Sequence, residues 1–304
     1  MQTKSTTIEA NLTVEEAFAR VLQNNLASVQ KWAPVALRGE DIEGVHQMRV
    51  CLRRMRSALT VFRSAIRKKT TKSLSNEIRW AAKALDRARD LDVYITENLA
   101  SKGNRHQKRL REIAEKHRRE AYVQVEELIK GRRYSALCEG FNDWIEARKW
   151  CENISAVHQN RFQENITPFA SRVLEEHRSI ILEHGKEIDQ LDDETLHKLR
   201  IECKKLRYAT EFFTPLYGDQ MKSFTGHLKN LQNHLGLIHD TAVMTGLQKD
   251  LLKNRKSRKL SNFTHKLERQ RQKEAKKILK MVSDRWQTFS EAERPWSTTT
   301  DAAA

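Results

Sequence analysis

Glycine and proline are scarce in this chain, with ten and four in 304 residues. So few turn formers argue against a strand-rich fold, and no stretch sustains the alternation of a half-buried strand. Cysteine is scarce too. Cys51, Cys138, Cys151 and Cys203 form no CxxC pair, which argues against a zinc cage or a disulfide framework. Cys51 and Cys203 lie inside apolar helical patterns and read as small packing residues. Aromatics make up 7%, without the basic–aromatic interleaving of a base-stacking surface. No uncharged apolar run is long enough to span a bilayer, and Met1 to Glu9 lacks the apolar segment of a signal peptide. There is no HExxH pattern, no P-loop, no Gly-rich nucleotide loop and no evident Mg²⁺ carboxylate cluster. The chain therefore reads as cytoplasmic, with no membrane partner, resident metal, cofactor or catalytic residue.

Positive charge and helical periodicity are abundant. Fifty-six Lys and Arg against 40 Asp and Glu leave a net charge of +16 and a pI near 9.8, a balance that points to a polyanionic partner. Hydrophobic content of 38% is enough for a substantial core. Apolar residues recur at helical spacing almost throughout, so the fold class is all-α. The expected helices are 11–37, 42–67, 72–99, 105–129, 133–150, 158–184, 193–213, 220–250 and 262–289. Pro34 lies near the end of the first, Ser101–Asn104 separates the third and fourth, and Pro215 and Gly218 end the seventh. The basic segment Lys253–Lys259 reads as a solvated loop, and residues 1–7 and 298–304 as flexible ends.

One motif occurs twice, 151 residues apart. His46-Gln-Met-Arg49-Val-Cys-Leu-Arg53-Arg54-Met-Arg56 returns as His197-Lys-Leu-Arg200-Ile-Glu-Cys-Lys204-Lys205-Leu-Arg207. At 100° per residue, His46, Arg49, Arg53 and Arg56 share an arc of about 80°. Met48, Leu52, Met55, Leu59 and Phe62 lie on another face, as a core stripe should. His197, Arg200, Lys204 and Arg207 repeat the first arc; Leu199, Cys203, Leu206 and Phe213 repeat the second. Arg54 stands apart and points to a different surface. Asp41 and Asp192, also 151 apart, sit where helix N-caps belong. The duplication continues downstream. Leu85–Val93 aligns with Leu235–Val243, and Arg79 with Lys229, at an offset of 150. Arg79 and Arg89 share an arc with Asp86 and Asp90; Lys229, His239 and Asp240 hold the matching places. The aspartates read as orienting neighbouring cations rather than as catalysts.

A charged helix face is ordinarily a solvated one, laced with acidic partners. Neither motif stripe contains a carboxylate, and like charges three and four apart repel. An anion bound along both stripes would offset that repulsion. Arg suits phosphate by bidentate bonding and Lys as a point charge, and the stripes begin near helix N-termini, where backbone N–H groups favour anions. The expectation is therefore a non-catalytic polyanion-binding protein. A nucleic-acid binder is the first alternative, since charge alone supports it equally. A phosphoryl-transfer enzyme using His46 or His197 is the second, and the weaker.

The segments GVHQMRVCLRRMRSALTVF, ALDRARDLDV, GRRYSALCEGFNDWI, LHKLRIECKKLRYATEFFTPLYG and LKNLQNHLGLIHD together resemble the CHAD domain, the conserved histidine α-helical domain. The resemblance covers residues 8–297, divided into halves at 8–156 and 157–297. It implies two four-helix bundles related by a pseudo-two-fold axis, with a basic channel between them. It also implies binding of long-chain inorganic polyphosphate, with some members found at polyphosphate granules. By that resemblance His46, Arg49, Arg53 and Arg56 line the channel from one half, and His197, Arg200, Lys204 and Arg207 from the other. Arg79, Arg89, Lys229 and His239 match secondary positions. Members are often fused to a CYTH domain that cleaves polyphosphate, whose ExExK signature is missing here. A separate partner protein could supply such an activity. Asp86 departs from the family pattern, which commonly has Gly there, as at Gly236.

Overall fold

The computed structural model describes residues 7–99, 104–253 and 257–297, without the side chains of Lys68, Asp193, residues 238–242 and four further positions between 275 and 279. The terminal residues 1–6 and 298–304, and residues 254–256 of the basic segment, lie outside it. Among the described residues there are eleven α-helices and no strand. The all-α expectation holds.

The first half opens with α1 (Val14–Arg38) and α2 (Ile42–Val61), packed closely together. Thr13 caps α1: its hydroxyl accepts from the Glu16 N–H at 3.2 Å, while the Glu16 carboxylate accepts the Thr13 N–H at 2.9 Å. Gly39 ends α1 in the left-handed region at φ 68°, with the Tyr122 ring 2.9 Å from where a Cβ would sit. Asp41 caps α2 as expected, accepting from the Glu43 N–H at 2.8 Å. Gly44 lets the two helices close up, since a Cβ there would stand 2.4 Å from the Ala36 nitrogen. Then follow α3 (Lys68–Ala84), α4 (Asp86–Asn98), α5 (Arg105–Lys130) and α6 (Arg132–Glu146). The expected helix 72–99 is in fact two. Its buried positions Ile78, Ala81, Leu85, Ala88 and Leu91 keep helical spacing across the break at Leu85, so periodicity could not reveal it.

The second half holds α7 (Ala156–Gln163), α8 (Ile166–His184), α9 (Asp193–Leu252), α10 (Arg258–Leu279) and α11 (Val282–Ser290). The long α9 is two arms joined at Gly218, where φ 62° and ψ −139° break the helix; no L side chain adopts that pair readily. The arms correspond to the expected 193–213 and 220–250. Asp192 caps the first, accepting from the Thr195 N–H at 2.8 Å. Single helices were expected over 158–184 and 262–289, but each is two. The break between α7 and α8 has a tertiary cause. The Val14 N–H donates to the Glu164 carbonyl and the Ile166 N–H to the Leu12 carbonyl, both at 2.9 Å, a bridge joining Thr13 to Asn165. Thr13 and Asn165 are the N-caps of α1 and α8, so the two helices start side by side. Advancing Leu12 and Val14 by 152 residues gives Glu164 and Ile166, so the bridge maps onto itself.

One buried cluster runs through both halves. Its centre joins Phe18 and Phe62 to their counterparts Phe169 and Phe213, each 151 residues on. Phe62 stacks on Phe169 at 5.4 Å between ring centroids, meets Phe213 at 5.9 Å and Phe18 at 5.2 Å. All four are at most 2% exposed. Trp150, from a 3₁₀ turn after α6, packs on Phe18 at 5.1 Å and Trp144 at 4.8 Å. The expected core stripes are buried as read: Met48, Leu52, Met55 and Phe62 on α2, and Leu199, Cys203, Leu206 and Phe213 on α9. Cys51 and Cys203 are buried packing residues, and burial raises both thiol pKa values. The paired apolar stripes hold α2 against the first arm of α9, and this contact orients the cationic stripes.

Candidate anion-binding site

Where α2 leaves the aromatic core, it and α9 border a cleft of about 880 Å³. Arg53, Arg56 and Arg79 reach it from α2 and α3, and Lys204 from α9. Sequence-expected cations of both halves thus share one concavity. Lys72, Arg63 and Lys205 join them, and hydroxyls of Ser57, Thr60, Ser75 and Tyr208 line the remaining wall. Among the described residues Glu176 is the one carboxylate in the lining, and it pairs with Arg63 at 3.3 Å. Lys205 pairs with Glu202 at 2.7 Å. Arg63 was not singled out from the sequence, although it continues the α2 stripe two turns past Arg56.

The cations extend along α2 from this cleft. Burial lowers the pKa of His46, and Arg89, Arg53 and Arg49 lower it further against an opposing pull from Glu43. Burial is also the main reason the Arg49 guanidinium is held down to about 10; Arg53 and Arg89 add to it while Asp90 opposes. The Arg56 pKa is lowered by burial and then by Arg79. These mutual effects place His46, Arg49, Arg53 and Arg89 in one electropositive strip, and Arg56 beside Arg79. A bound anion would offset the mutual repulsion of these cations.

The expectation of carboxylate-free cations fails at two positions. Arg49 pairs with Asp86 at the start of α4 and donates to the Ala82 carbonyl at 3.3 Å. Arg207 pairs with Glu211 at 2.5 Å and donates from Nε to Gln232 at 2.8 Å. Glu211 lies on the same stripe one turn beyond the motif, so a longer reading of that face would have found it. Asp86 comes from another helix, and only folding brings it in.

The other expected residues scatter in depth. Arg200 is 8% exposed and so lies within the fold rather than on the cleft wall. His197 and Arg89 are half-buried, and Lys229 is exposed. None of His46, Arg49, Arg89, His197, Arg200, Arg207 or Lys229 lines the cleft itself. The side chain of His239 lies outside the described part of the chain, as does that of Asp240.

Arg54 does serve another surface. It crosses to Glu211 at 2.5 Å, lies over the Phe212 ring at 5.2 Å, and lines a second cavity of about 510 Å³ with Val50, Glu211 and Pro215. Those four residues correspond, at the 151-residue offset, to Lys205, Ile201, Thr60 and Ser64 of the basic cleft. The duplication therefore makes two related concavities. Glu211, standing where the basic cleft has Thr60, neutralises one of them.

Among the described residues, no cluster of three or more His, Cys, Asp and Glu side chains could hold a metal ion. No described helix is long and apolar enough to cross a membrane.

The fold and the cleft define an all-helical protein with cations from two duplicated halves gathered in one concavity. The family model for the CHAD domain matches residues 20–249, and the chain belongs to that family, whose known function is polyphosphate binding. The CHAD domain from the plant Ricinus communis is similar in structure, with a TM-score of 0.71 and 22% identity over 94% of this chain and 91% of that one. PptA from Streptomyces chartreusis is similar with a TM-score of 0.61 and 12% identity, over 90% of this chain and 99% of that one. No curated protein matches the sequence.

Proposed function

We propose that this protein binds long-chain inorganic polyphosphate along the basic cleft and the strip of α2 that leads from it, as a binding module without catalysis of its own. One observation carries the reading: Arg53, Arg56 and Arg79 of the first half share a cleft with Lys204 of the second, with Glu176 as its single carboxylate among the described residues. Cations three and four residues apart repel along a helix, and a polymer with about one charge per phosphate neutralises them in series. Association with polyphosphate granules, and delivery of the polymer to a partner protein with its own enzymatic activity, would follow from such binding.

The test is a titration with polyphosphates of several lengths, competed by DNA and RNA at matched charge and salt. Saturable binding that tightens with chain length and withstands nucleic-acid competition supports the proposal. Displacement by either nucleic acid at equal charge would establish the first alternative. Turnover of labelled polyphosphate, or a phosphohistidine at His46 or His197, would establish the enzymatic one.

A further inference from the structure

A different concavity breaks the electrostatic rule of this molecule. Between α1, the end of α5 and α6 lies a cavity of about 560 Å³, whose lining among the described residues includes no lysine or arginine, in a chain that has 56 of them. Glu139 and Asp143 stand at its edge, one turn apart on α6. Neither makes an ion pair among the described residues, and like charges at that spacing repel. Leu37 and Ile129 supply an apolar wall.

Two polar groups inside point to a ligand. Tyr134 is 6% exposed, and its hydroxyl meets no oxygen or nitrogen partner among the described residues, only the thiol of Cys138. The Cys138 thiol beside it is a weak acceptor and a weak donor. A hydroxyl held only by so weak a partner keeps most of its hydrogen-bonding capacity, and a ligand oxygen or N–H that bonds it gains from that. Gln30, also in the lining, precedes Pro34 by four residues inside α1. Proline has no N–H, so the Gln30 carbonyl lacks its ordinary helical donor and can accept elsewhere.

We infer that this cavity binds a free aliphatic di- or polyamine, with an ammonium group between Glu139 and Asp143, methylenes against Leu37 and Ile129, and an inner N–H shared by the Tyr134 oxygen and the Gln30 carbonyl. The class follows from the lining. It offers acceptors and negative charge but no cation, so it disfavours anions and gives a neutral alcohol no ionic partner. Its volume lies within the range usual for small-ligand sites. It owes nothing to the polyphosphate cleft and stands or falls separately.

Isothermal titration of the full-length, polyphosphate-free protein with cadaverine, spermidine and neutral pentanediol tests this. Saturable one-to-one binding of an amine, and none of the diol, is expected. Asp143→Asn and Glu139→Gln should each weaken amine binding about tenfold, the worth of one charge-assisted hydrogen bond. Both side chains are exposed, so these variants should keep the helical circular dichroism of the parent. Tyr134→Phe should weaken binding as well. Absence of saturable amine binding, an affinity in either carboxylate variant equal to that of the parent, or uptake of the diol as strong as that of the diamine would overturn the inference. Binding of a lysine-rich peptide where the free amines fail would place a protein partner there instead, and would overturn it too.

Discussion

The salt dependence of polyphosphate binding can be worked from the cleft. Of its cations, Arg63 is taken by Glu176 and Lys205 by Glu202. Arg53, Arg56, Arg79 and Lys72 also face the cavity, with no ion pair printed for them among the described residues. Each phosphate neutralised on a single-stranded polyanion contributes about −0.7 to the slope of log affinity against log salt. Four such contacts give a slope of about −2.8, so affinity should fall roughly fiftyfold between 50 and 200 mM salt. The assay is fluorescence anisotropy with end-labelled long-chain polyphosphate across that range. Arg79→Gln, at an exposed residue, should flatten the slope by about 0.7 and weaken binding at low salt. Arg109→Gln on α5, outside the cleft and paired with Glu112, should do neither. A slope near zero, or Arg79→Gln and Arg109→Gln behaving alike, would refute the assignment of the cleft.

Three further outcomes follow from particular contacts. Glu211→Gln removes the carboxylate that holds both Arg54 and Arg207; it should cost about 2 to 3 kcal/mol of stability by urea unfolding. A variant as stable as the parent would show that the link between the halves is energetically idle. Phe62→Ala opens the aromatic cluster joining the halves and should cost about 3 to 5 kcal/mol, with one cooperative transition rather than two; separate transitions would mean the halves fold independently. His46 has a lowered pKa in the free protein, and a polyanion beside it should raise that pKa. The complex then takes up a proton, so affinity should rise as pH falls below the ordinary histidine value of about 6.5. His46→Gln should flatten that part of the pH profile, and an unaltered profile would remove His46 from the site.

Arg200 shows where matched motif positions mislead. It repeats Arg49 in the sequence, and on an open stripe its reversal to Glu would be a clean binding test. At 8% exposure, Arg200→Glu would bury a carboxylate, and loss of binding would report loss of fold. Arg53 and Arg79 are exposed and are the informative targets. Arg49 and Arg207 carry another lesson. Their helical phase was legible, but their carboxylate partners came from α4 and from one turn beyond the motif. A stripe read in isolation overstates how much of its charge is available.

Much of this protein is local and so was readable from the chain alone. Helical period, scarce turn formers, the caps at Asp41 and Asp192, the buried stripes of α2 and α9 and the duplicated motif all depend on neighbours within a few residues. Helix breaks at Leu85 and at Glu164–Asn165 were not readable: the apolar register runs through the first, and the second arises from a bridge to residues some 150 positions away. The depth of each cation was likewise decided by tertiary packing. Phe18, Phe62, Phe169 and Phe213 pull the halves into one core, and that contact turns Arg53, Arg56, Arg79 and Lys204 toward a shared cleft while drawing Arg200 inside. Periodicity sets the direction a side chain takes from its own helix axis; what it meets there depends on how the helices are docked.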